Sequence, residues 1–276
     1  MRLYRYFFAR KCFFGFHRAL YNLSLRGLGV LNYENDRISG EKTFLTWYLG
    51  AKQGSVVLDI GANVGNYAIQ VLRIQPTARV YAFEPHPLTY DRLRETSIKF
   101  GFQAFNVGCG SRNCELPIYD YQDSNGSEHA SLYKEVFSDL ISGKDLSENR
   151  AKIVRLDDFS LTQDWTTIDL LKVDVEGNEL DVLNGFGNFL KGGKIRAIHF
   201  EFNSMNVISR VFFKDFFDLL GEYAFHRLLP DGLVRIPRYD PVLCEIFAFQ
   251  NIVALHGKEG SGGDSLPRNY RNGVRA

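Results

Sequence analysis

The chain has 276 residues, 45% of them hydrophobic, and its 33 lysines and arginines nearly balance its 32 aspartates and glutamates. This length and apolar content suit one α/β domain with a substantial core and added segments. A net charge of +1 lacks the basic character that is typical of nucleic-acid-binding proteins, so no nucleic-acid partner is predicted.

Residues 1–50 are predicted to form an N-terminal helical extension. Residues 1–30 hold six lysines and arginines and no acid, interleaved with aromatic residues such as Phe7 and Phe14. Two interpretations stay open: packing on the domain and on a second subunit of a homodimer, or peripheral contact with a membrane surface. The basic and aromatic positions are scattered around the helical wheel, which favours packing. Ser39 is predicted to cap the next helix.

The segment Val56–Gly65, VVLDIGANVG, predicts the first buried parallel strand and the turn that follows it. Gly61 and Gly65 allow the backbone of this turn to approach a ligand closely, where a Cβ atom would clash. The second strand, Arg79–Phe83, is followed by Glu84, a carboxylate placed to accept hydrogen bonds from both hydroxyls of a ribose. Together these features predict a nucleoside cofactor at the carboxyl ends of adjacent parallel strands.

The turn also indicates which nucleoside binds. A dinucleotide site has a third glycine and a helix N-terminus that faces a pyrophosphate, and the spacing Gly61-x-x-x-Gly65 lacks that glycine. Asp59 would repel a pyrophosphate but suits the cationic methionyl amine of S-adenosylmethionine. S-adenosylmethionine is therefore favoured over NAD. An NAD-dependent oxidoreductase of Rossmann fold and a non-catalytic adenosyl-binding domain stay as alternatives.

Strands and helices alternate along the rest of the chain, which is the α/β pattern. Further strands are predicted at 103–107, 115–119, 152–156, 168–173, 195–202, 222–229 and 246–255. The polar segment 120–150 is longer than ordinary loops in compact domains and is a candidate substrate lid. The tail 257–276, rich in glycine, serine and arginine, is predicted to be disordered.

Four blocks of this sequence resemble the FkbM-type family of class I methyltransferases. They are SGEKTF at 39–44, LDIGANVGNY at 58–67, FEPHP at 83–87 and LLKVDVEGNELDVLNG at 170–185. The last block is the most diagnostic, because the glycine turn occurs throughout class I methyltransferases. The resemblance extends from about Gly27 to about His256, and the methyltransferase domain itself is predicted at 51–256. It implies a Rossmann-like, mostly parallel seven-stranded sheet with an antiparallel last strand and helices on both faces.

The resemblance also implies an S-adenosylmethionine-dependent O-methyltransferase that acts on a hydroxyl of a sugar, glycan or small metabolite. Asp59 is expected to hold the methionyl amine, Glu84 the ribose hydroxyls, and Asn106 and Val107 the adenine. Gly61, Asn63 and Gly65 are expected to shape the loop under the methionyl group. The full set of predicted cofactor-binding residues is Asp59, Gly61, Asn63, Gly65, Tyr67, Glu84, Pro85, Asn106 and Val107.

Three carboxylates are the predicted catalytic residues: Asp174, Glu176 and Glu201. A sugar hydroxyl has a pKa far above 7, so a positioned base should accelerate its methylation by about 10²–10⁴-fold. Asp174, in the VDVEG segment, is the first candidate for this base, and Glu176 is the second. The three carboxylates are also the ligand type that Mg²⁺ prefers, but nothing in their spacing fixes a coordination geometry, and no metal site is predicted.

The cellular compartment is predicted from cysteine usage and from the N-terminal residues. The four cysteines form no C-x-x-C pair and are interpreted as free thiols in a reducing compartment. Arg5, Arg10 and Lys11 interrupt the N-terminal apolar stretch, so a secretory signal peptide is not expected there. A cytoplasmic location is therefore predicted.

Overall fold

The computed structural model describes residues 2–121 and 146–257. Its strands are β1 (Val56–Ile60), β2 (Arg79–Phe83), β3 (Gln103–Phe105), β4 (Gly108–Cys109), β5 (Cys114–Tyr121), β6 (Leu146–Val154), β7 (Ile168–Val173), β8 (Ile195–Phe202), β9 (Tyr223–Leu229), β10 (Gly232–Ile236) and β11 (Gln250–His256). Its α-helices are α1 (Arg2–Phe8), α2 (Phe14–Gly27), α3 (Glu41–Leu49), α4 (Asn66–Ile74), α5 (Pro87–Phe100), α6 (Leu156–Phe159), α7 (Glu179–Asn184), α8 (Gly187–Lys191), α9 (Met205–Ser209), α10 (Phe213–Leu219) and α11 (Pro241–Cys244). Most of the predicted lid lies outside the described residues, as does all but the first residue of the predicted tail.

The main sheet has the strand order β10-β9-β11-β8-β7-β1-β2-β3. The five strands from β8 to β3 are parallel, and β11 runs antiparallel to both β8 and β9. The order reverses at β1, with β2 on one side and β7 on the other, so a crevice opens at the carboxyl ends of these strands. The predicted fold class, with its antiparallel last strand, is confirmed.

The sheet has eight strands, one more than predicted. The extra strand, β10, forms a hairpin with β9 across the turn at Pro230 and Asp231, and pairs Gly232 with Leu229. The sequence analysis predicted no strand between 229 and 246. Its burial is only partial, as expected of an edge strand, and this weakens the apolar alternation by which a strand is recognised in sequence.

Helices cover both faces of the sheet because the strands are apolar on both sides. On one face Leu58 and Phe83 pack in a cluster with residues of α7, α8 and α10. On the other face Val57 and Ala82 pack with residues of α3, α4 and α5. Alternation along the strands assigns these neighbours to opposite faces. The central strands are therefore buried on both sides, and the site lies at their ends.

A second, smaller sheet has the order β4-β6-β5 and stands beside the carboxyl ends of the main strands. The predicted third strand continued to Val107, but β3 ends at Phe105 and the chain then joins the small sheet at Gly108. The predicted strand at 152–156 is β6, which ends at Val154. Ile118, Ala151 and Ile153 form the apolar centre of this small sheet.

The N-terminal segment divides into two parts with different surroundings. Helix α3 belongs to the core, because Phe44 and Leu45 are buried against the main sheet. The residue at its N-cap is Gly40, with φ at 83°, and the predicted cap Ser39 instead accepts a hydrogen bond from the Glu41 amide at 3.4 Å. Helices α1 and α2 are almost entirely exposed. The domain boundary at residue 50 stays a prediction. Within the described residues, no helix combines the length and apolar character needed to cross a bilayer.

Candidate active site

The carboxyl ends of β1, β2 and β7 are tied together by backbone hydrogen bonds. The Gly61 and Ala62 amides donate to the Phe83 carbonyl at 3.0 and 2.9 Å, and the Asp174 amide donates to the Ile60 carbonyl at 2.9 Å. Gly61 has φ at 79°, and a Cβ atom on it would lie 1.8 Å from the Asp174 carbonyl oxygen. Only glycine allows the two loops to approach this closely.

A cavity of about 600 Å³ opens at this edge of the sheet, within the range of ordinary small-molecule sites. The ends of β1, β2, β7 and β8 and all three strands of the small sheet contribute to its lining, and the predicted cofactor and catalytic residues supply much of its polar wall. The lining residues are Tyr33, Ile60, Gly61, Asn63, Phe83, Glu84, Pro85, Thr89, Gly108, Cys109, Ile118, Ile153, Asp174, Val175, Glu176, Asn178, Glu201, Asn203, Ser204, Met205 and Phe249.

Glu84 is fixed by two backbone donors at the end of β2. Its Oε2 accepts from the Asn63 amide at 3.0 Å, and its Oε1 accepts from the His86 amide at 2.8 Å. Asn63 adopts a left-handed φ of 48°, a conformation that asparagine tolerates better than most residues, and its amide thereby reaches Glu84. The carboxylate is 7% exposed and faces the cavity with its remaining acceptor capacity.

The predicted adenine residues, Asn106 and Val107, are not among the residues that line the cavity. The Asn106 side chain donates to the carbonyls of Glu84 and Pro85 at 2.9 and 3.2 Å, so it braces the chain that carries Glu84. Near Glu84, the apolar wall of the cavity consists of side chains from the small sheet and its neighbours. Gly108 belongs to this wall and packs closely against Ile153. A Cβ atom on Gly108 would lie 2.7 Å from Ile153 Cδ1, which accounts for glycine at this position.

Asp59 is buried under the glycine turn, and its Oδ2 atom has no hydrogen-bond partner among the described residues. Burial raises the pKa of Asp59 to about 7, and Lys172 opposes this effect while Asp174 adds to it. Asp59 lines a smaller cavity of about 240 Å³ that shares Gly61, Asn63 and Asp174 with the larger one. An unsatisfied buried carboxylate is costly, so this atom is suited to a cationic ligand.

Tyr67, at the start of α4, lines only the smaller cavity. Its hydroxyl lies 3.1 Å from His199 Nδ1, and His199 Nε2 lies 3.0 Å from Asn251 Oδ1. Burial, followed by the charge of Lys172, lowers the pKa of His199 well below its usual value. His199 is therefore a neutral core histidine that orients Tyr67, while Gly65 packs against Leu93 and does not line either cavity.

The three predicted catalytic carboxylates all line the larger cavity. Burial, with the neighbouring charge of Asp174, raises the pKa of Glu176 to about 8 and that of Glu201 well above its usual value. Asn203 Nδ2 donates to Glu201 Oε2 at 3.1 Å. Asp174 instead forms an ion pair with Lys172, with 3.2 Å between Nζ and Oδ2. The cluster thus combines two carboxyl groups biased toward the protonated form with one that is ion-paired.

Lys172 and Glu41 contribute to the site but were not among the predicted residues. The Lys172 ammonium is buried, which alone would lower its pKa, yet the surrounding carboxylates, led by Asp174 and Glu201, raise it above its usual value. Glu41 lines the smaller cavity, and burial raises its pKa. A lysine inside the apolar run LLKVDV, two residues before Asp174 and so on the same face of the strand, was the available signal.

Asp157 anchors a different part of the domain. It accepts hydrogen bonds from the Asn188 and Phe189 amides at the start of α8, and forms an ion pair with Arg155 at 2.8 Å. Among the described residues, no group of three or more His, Cys, Asp or Glu side chains has the arrangement of a metal site.

Comparison with known proteins identifies the domain. Residues 59–227, more than half of the chain, match the family model of the methyltransferase FkbM domain. The chain belongs to this family. It therefore carries a class I methyltransferase domain, and the cofactor of that domain is S-adenosylmethionine.

Several curated methyltransferases match part of the chain. The 2-O-methyltransferase NoeI of Sinorhizobium fredii is 29% identical over 193 residues, which cover 66% of this chain and 77% of that protein. Hexuronic acid methyltransferase AglP of Haloferax volcanii is 30% identical over 51% of this chain and 54% of that protein. Methyltransferase 1 of Beauveria bassiana is 32% identical over 48% of this chain and 58% of that protein. The chain thus spans little more than half the length of the last two.

The residues at the crevice fit S-adenosylmethionine on physical grounds. The orphaned Asp59 Oδ2 atom is a buried acceptor that suits a cationic amine, and no phosphate-binding lysine or arginine lines the larger cavity in the part of the chain that the structure describes. Glu84 presents a fixed carboxylate beside the glycine turn. Gly61, where an added Cβ atom would meet the Asp174 carbonyl, lines both cavities.

Proposed function

We propose that this domain transfers the methyl group of S-adenosylmethionine to a hydroxyl of a sugar, glycan or small metabolite. The observation that carries this proposal is the acidic cluster of Asp174, Glu176 and Glu201 on the wall of the cavity that also contains Glu84. A hydroxyl acceptor needs a proton acceptor and hydrogen-bond partners, and this cluster supplies both. The predicted roles of the individual residues belong to this proposal.

The cofactor half of the site uses Glu84, Asn63 and Asp59. Bound S-adenosylmethionine supplies an electrophilic methyl group on a sulfonium. Glu84 accepts hydrogen bonds from the ribose hydroxyls, and its two backbone donors hold it in position for them. Asp59 receives the methionyl amine from below the turn. Holding the donor in line with the acceptor is worth several kcal/mol, roughly 7–11 in good cases.

In the acceptor half of the site, the three acidic residues have different roles. Asp174, held by the Lys172 ammonium, would receive the hydroxyl proton as the acceptor oxygen bonds to the methyl carbon and the bond from that carbon to sulfur breaks, which releases S-adenosylhomocysteine. Glu176 and Glu201, with raised pKa values, donate hydrogen bonds from their protonated carboxyl groups to neighbouring oxygens of the acceptor. Neighbouring carboxyl groups in different environments commonly take different roles in one reaction.

The charge of the cavity favours an uncharged acceptor group. Glu84, Asp174, Glu176 and Glu201 line it, and no lysine or arginine does so within the described residues. Such a wall offers no cationic partner to phosphates and therefore disfavours a nucleic-acid acceptor. One relative is named a 2-O-methyltransferase, which supports an oxygen acceptor, and another is named a hexuronic acid methyltransferase, which supports a carbohydrate.

An acceptor panel tests this proposal. The protein is incubated with S-adenosylmethionine and with neutral oligosaccharides, neutral glycolipids, nucleotide sugars or a short RNA, and release of S-adenosylhomocysteine is measured. We expect release with a neutral hydroxylated sugar and none with RNA. Turnover of RNA alone would overturn the proposal. Binding of NADH but not S-adenosylhomocysteine in a fluorescence titration would overturn the cofactor assignment.

A further inference from the structure

The N-terminal helical pair, residues 2–27, projects from the domain. Helix α1 folds back on α2, with Tyr4 Oη 3.3 Å from His17 Nδ1 and His17 Nε2 3.1 Å from the Phe8 carbonyl. Leu25 is its single buried residue. The pair thus has a defined internal structure but almost no contact with the core.

The surface of this pair is apolar to a degree that is unusual for a segment in water. Exposed fractions of its large apolar side chains run from 37% for Phe13 to 75% for Leu3. The set comprises Leu3, Tyr4, Tyr6, Phe7, Phe8, Phe13, Phe14, Phe16, Leu20, Tyr21 and Leu23. Scattered exposed apolar residues need no explanation, but a continuous concentration of them marks an interaction surface.

The same surface is strongly basic. Residues 2–27 hold six lysines and arginines and no acid. The rest of the chain therefore has 27 of the 33 basic residues and all 32 acidic ones. The basic residues are Arg2, Arg5, Arg10, Lys11, Arg18 and Arg26. The chain is therefore near neutral only as a sum, with positive charge concentrated on the exposed helical pair.

We propose that the N-terminal helical pair docks on an anionic membrane surface. Aromatic side chains partition into the headgroup region, and arginine and lysine extend toward lipid phosphates, so both features of the pair are used at once. Each basic residue near an anionic bilayer adds to the affinity for it. The helices lie on the surface and do not cross it.

Charge and side-chain type argue against two other partners for this surface, a second copy of the chain and nucleic acid. A two-fold dimer through this surface would bring its six positive charges against the six of a second copy. Nucleic acid would satisfy the charge, but aliphatic side chains such as Leu3 and Leu23 cannot stack on bases as aromatic ones do. An anionic bilayer complements both the charge and the apolar area.

The segment that follows the helical pair, residues 28–33, adjoins the active-site cavity. The Leu31 amide donates to the Phe249 carbonyl at 2.7 Å, and Phe249 packs edge-on against Tyr33. Tyr33 and Phe249 both line the larger cavity. Docking would therefore bring the cavity close to the membrane surface. The docking proposal does not depend on the acceptor, because vesicle binding is measured without methyl transfer.

Vesicle sedimentation of the full chain tests the proposal. Wild-type protein is compared on phosphatidylcholine vesicles and on vesicles that also contain phosphatidylserine, at low and high salt. We expect binding to the anionic vesicles at least tenfold tighter than to the neutral ones, and weaker in high salt. The variant Arg5→Gln/Arg18→Gln/Lys11→Gln should lose at least tenfold in affinity, and Phe7→Ser/Phe14→Ser/Phe16→Ser should lose a similar factor.

A matched control removes three exposed basic residues elsewhere, as Lys152→Gln/Lys191→Gln/Arg235→Gln, and should bind vesicles like wild type. Circular dichroism and S-adenosylhomocysteine affinity confirm that each variant is folded. Equal loss in the control and N-terminal variants would overturn the proposal. Failure to bind anionic vesicles would also overturn it. This holds whether light scattering then shows a dimer or a filter assay shows RNA binding through the same residues.

Discussion

Lys172 Nζ lies 3.2 Å from Asp174 Oδ2 at the centre of the site, and Glu201, Glu41 and Asp59 also act on the same buried ammonium. One buried cation thus interacts with four carboxylates, which line two cavities that share residues. An excess of buried negative charge of this kind costs stability unless a ligand or protons compensate it. The site is arranged for a cationic cofactor and a proton, and the predictions below test each part.

Replacing Asp174 by asparagine removes the proposed proton acceptor while keeping its size. We expect turnover with an accepted sugar to fall by about 10²–10⁴-fold. Affinity for S-adenosylhomocysteine, measured by calorimetry, should stay within about threefold of wild type. Asp218→Asn, at an exposed helix position far from the cavity, is the control and should keep wild-type turnover. Unchanged turnover in Asp174→Asn would remove it from the role of base.

Replacing Glu84 by alanine should weaken S-adenosylhomocysteine binding by at least tenfold. The change removes the ribose acceptor and also leaves the Asn63 and His86 amides without their carboxylate partner. Glu115→Ala, in an exposed pair with Arg150, is the matched control. Calorimetry on both variants separates the site from a general effect of charge, and equal affinity in the two variants would contradict the assignment.

The stability of the ligand-free protein should fall as pH rises toward neutrality, in part because of Asp59. Its pKa is about 7 in the folded state against an ordinary 3.8, so folded protein binds the extra proton between these values. That contribution is complete below about pH 4 and is lost as pH rises through 7. Asp59→Asn should flatten the change in unfolding free energy between pH 5 and 7 by about 2 kcal/mol.

Chemical denaturation at several pH values measures this effect, and Glu222→Gln, an exposed carboxylate, serves as control. An Asp59→Asn curve parallel to wild type would show that the carboxyl group is not titrating in this range. Saturating S-adenosylhomocysteine should shift the wild-type curve more than the variant curve, because its amine stabilises the ionised Asp59.

Gly61→Ala should destabilise the fold by roughly 2–5 kcal/mol, because its Cβ atom would meet the Asp174 carbonyl at 1.8 Å with φ in the left-handed region. Gly187→Ala is the control, since no heavy atom lies within 4 Å of its added Cβ atom. Denaturant unfolding compares the two. Similar stabilities would contradict the close approach of the strand ends.

The sequence predicted those parts of the site that depend on short spacings. Asp59, Gly61 and Glu84 follow or end particular strands, and their positions at the carboxyl edge come directly from the parallel order. Lys172 was visible as a charge inside an apolar strand, but its partners come from separate elements. The role of Asn106 depends on the backbone path around Glu84, which spacing alone does not reveal.

The wall opposite the strand ends could not be predicted from local sequence. Gly108 pairs with Ile153, 45 positions away, in the small sheet, and this pairing defines the apolar side of the cavity. The eighth strand, β10, is short, partly exposed and bounded by Gly232, so its pattern resembles a loop. Both features depend on non-local pairing, which side-chain periodicity does not encode.

The most direct test of the account is to locate the transferred methyl group. The protein is supplied with S-adenosylmethionine labelled with ¹³C at the methyl carbon and with the neutral sugar that gives turnover, and the product is examined by NMR. The account predicts one labelled methyl group on a hydroxyl oxygen, formed by wild type and lost in Asp174→Asn. Label on nitrogen or carbon, or equal labelling by Asp174→Asn, would contradict it.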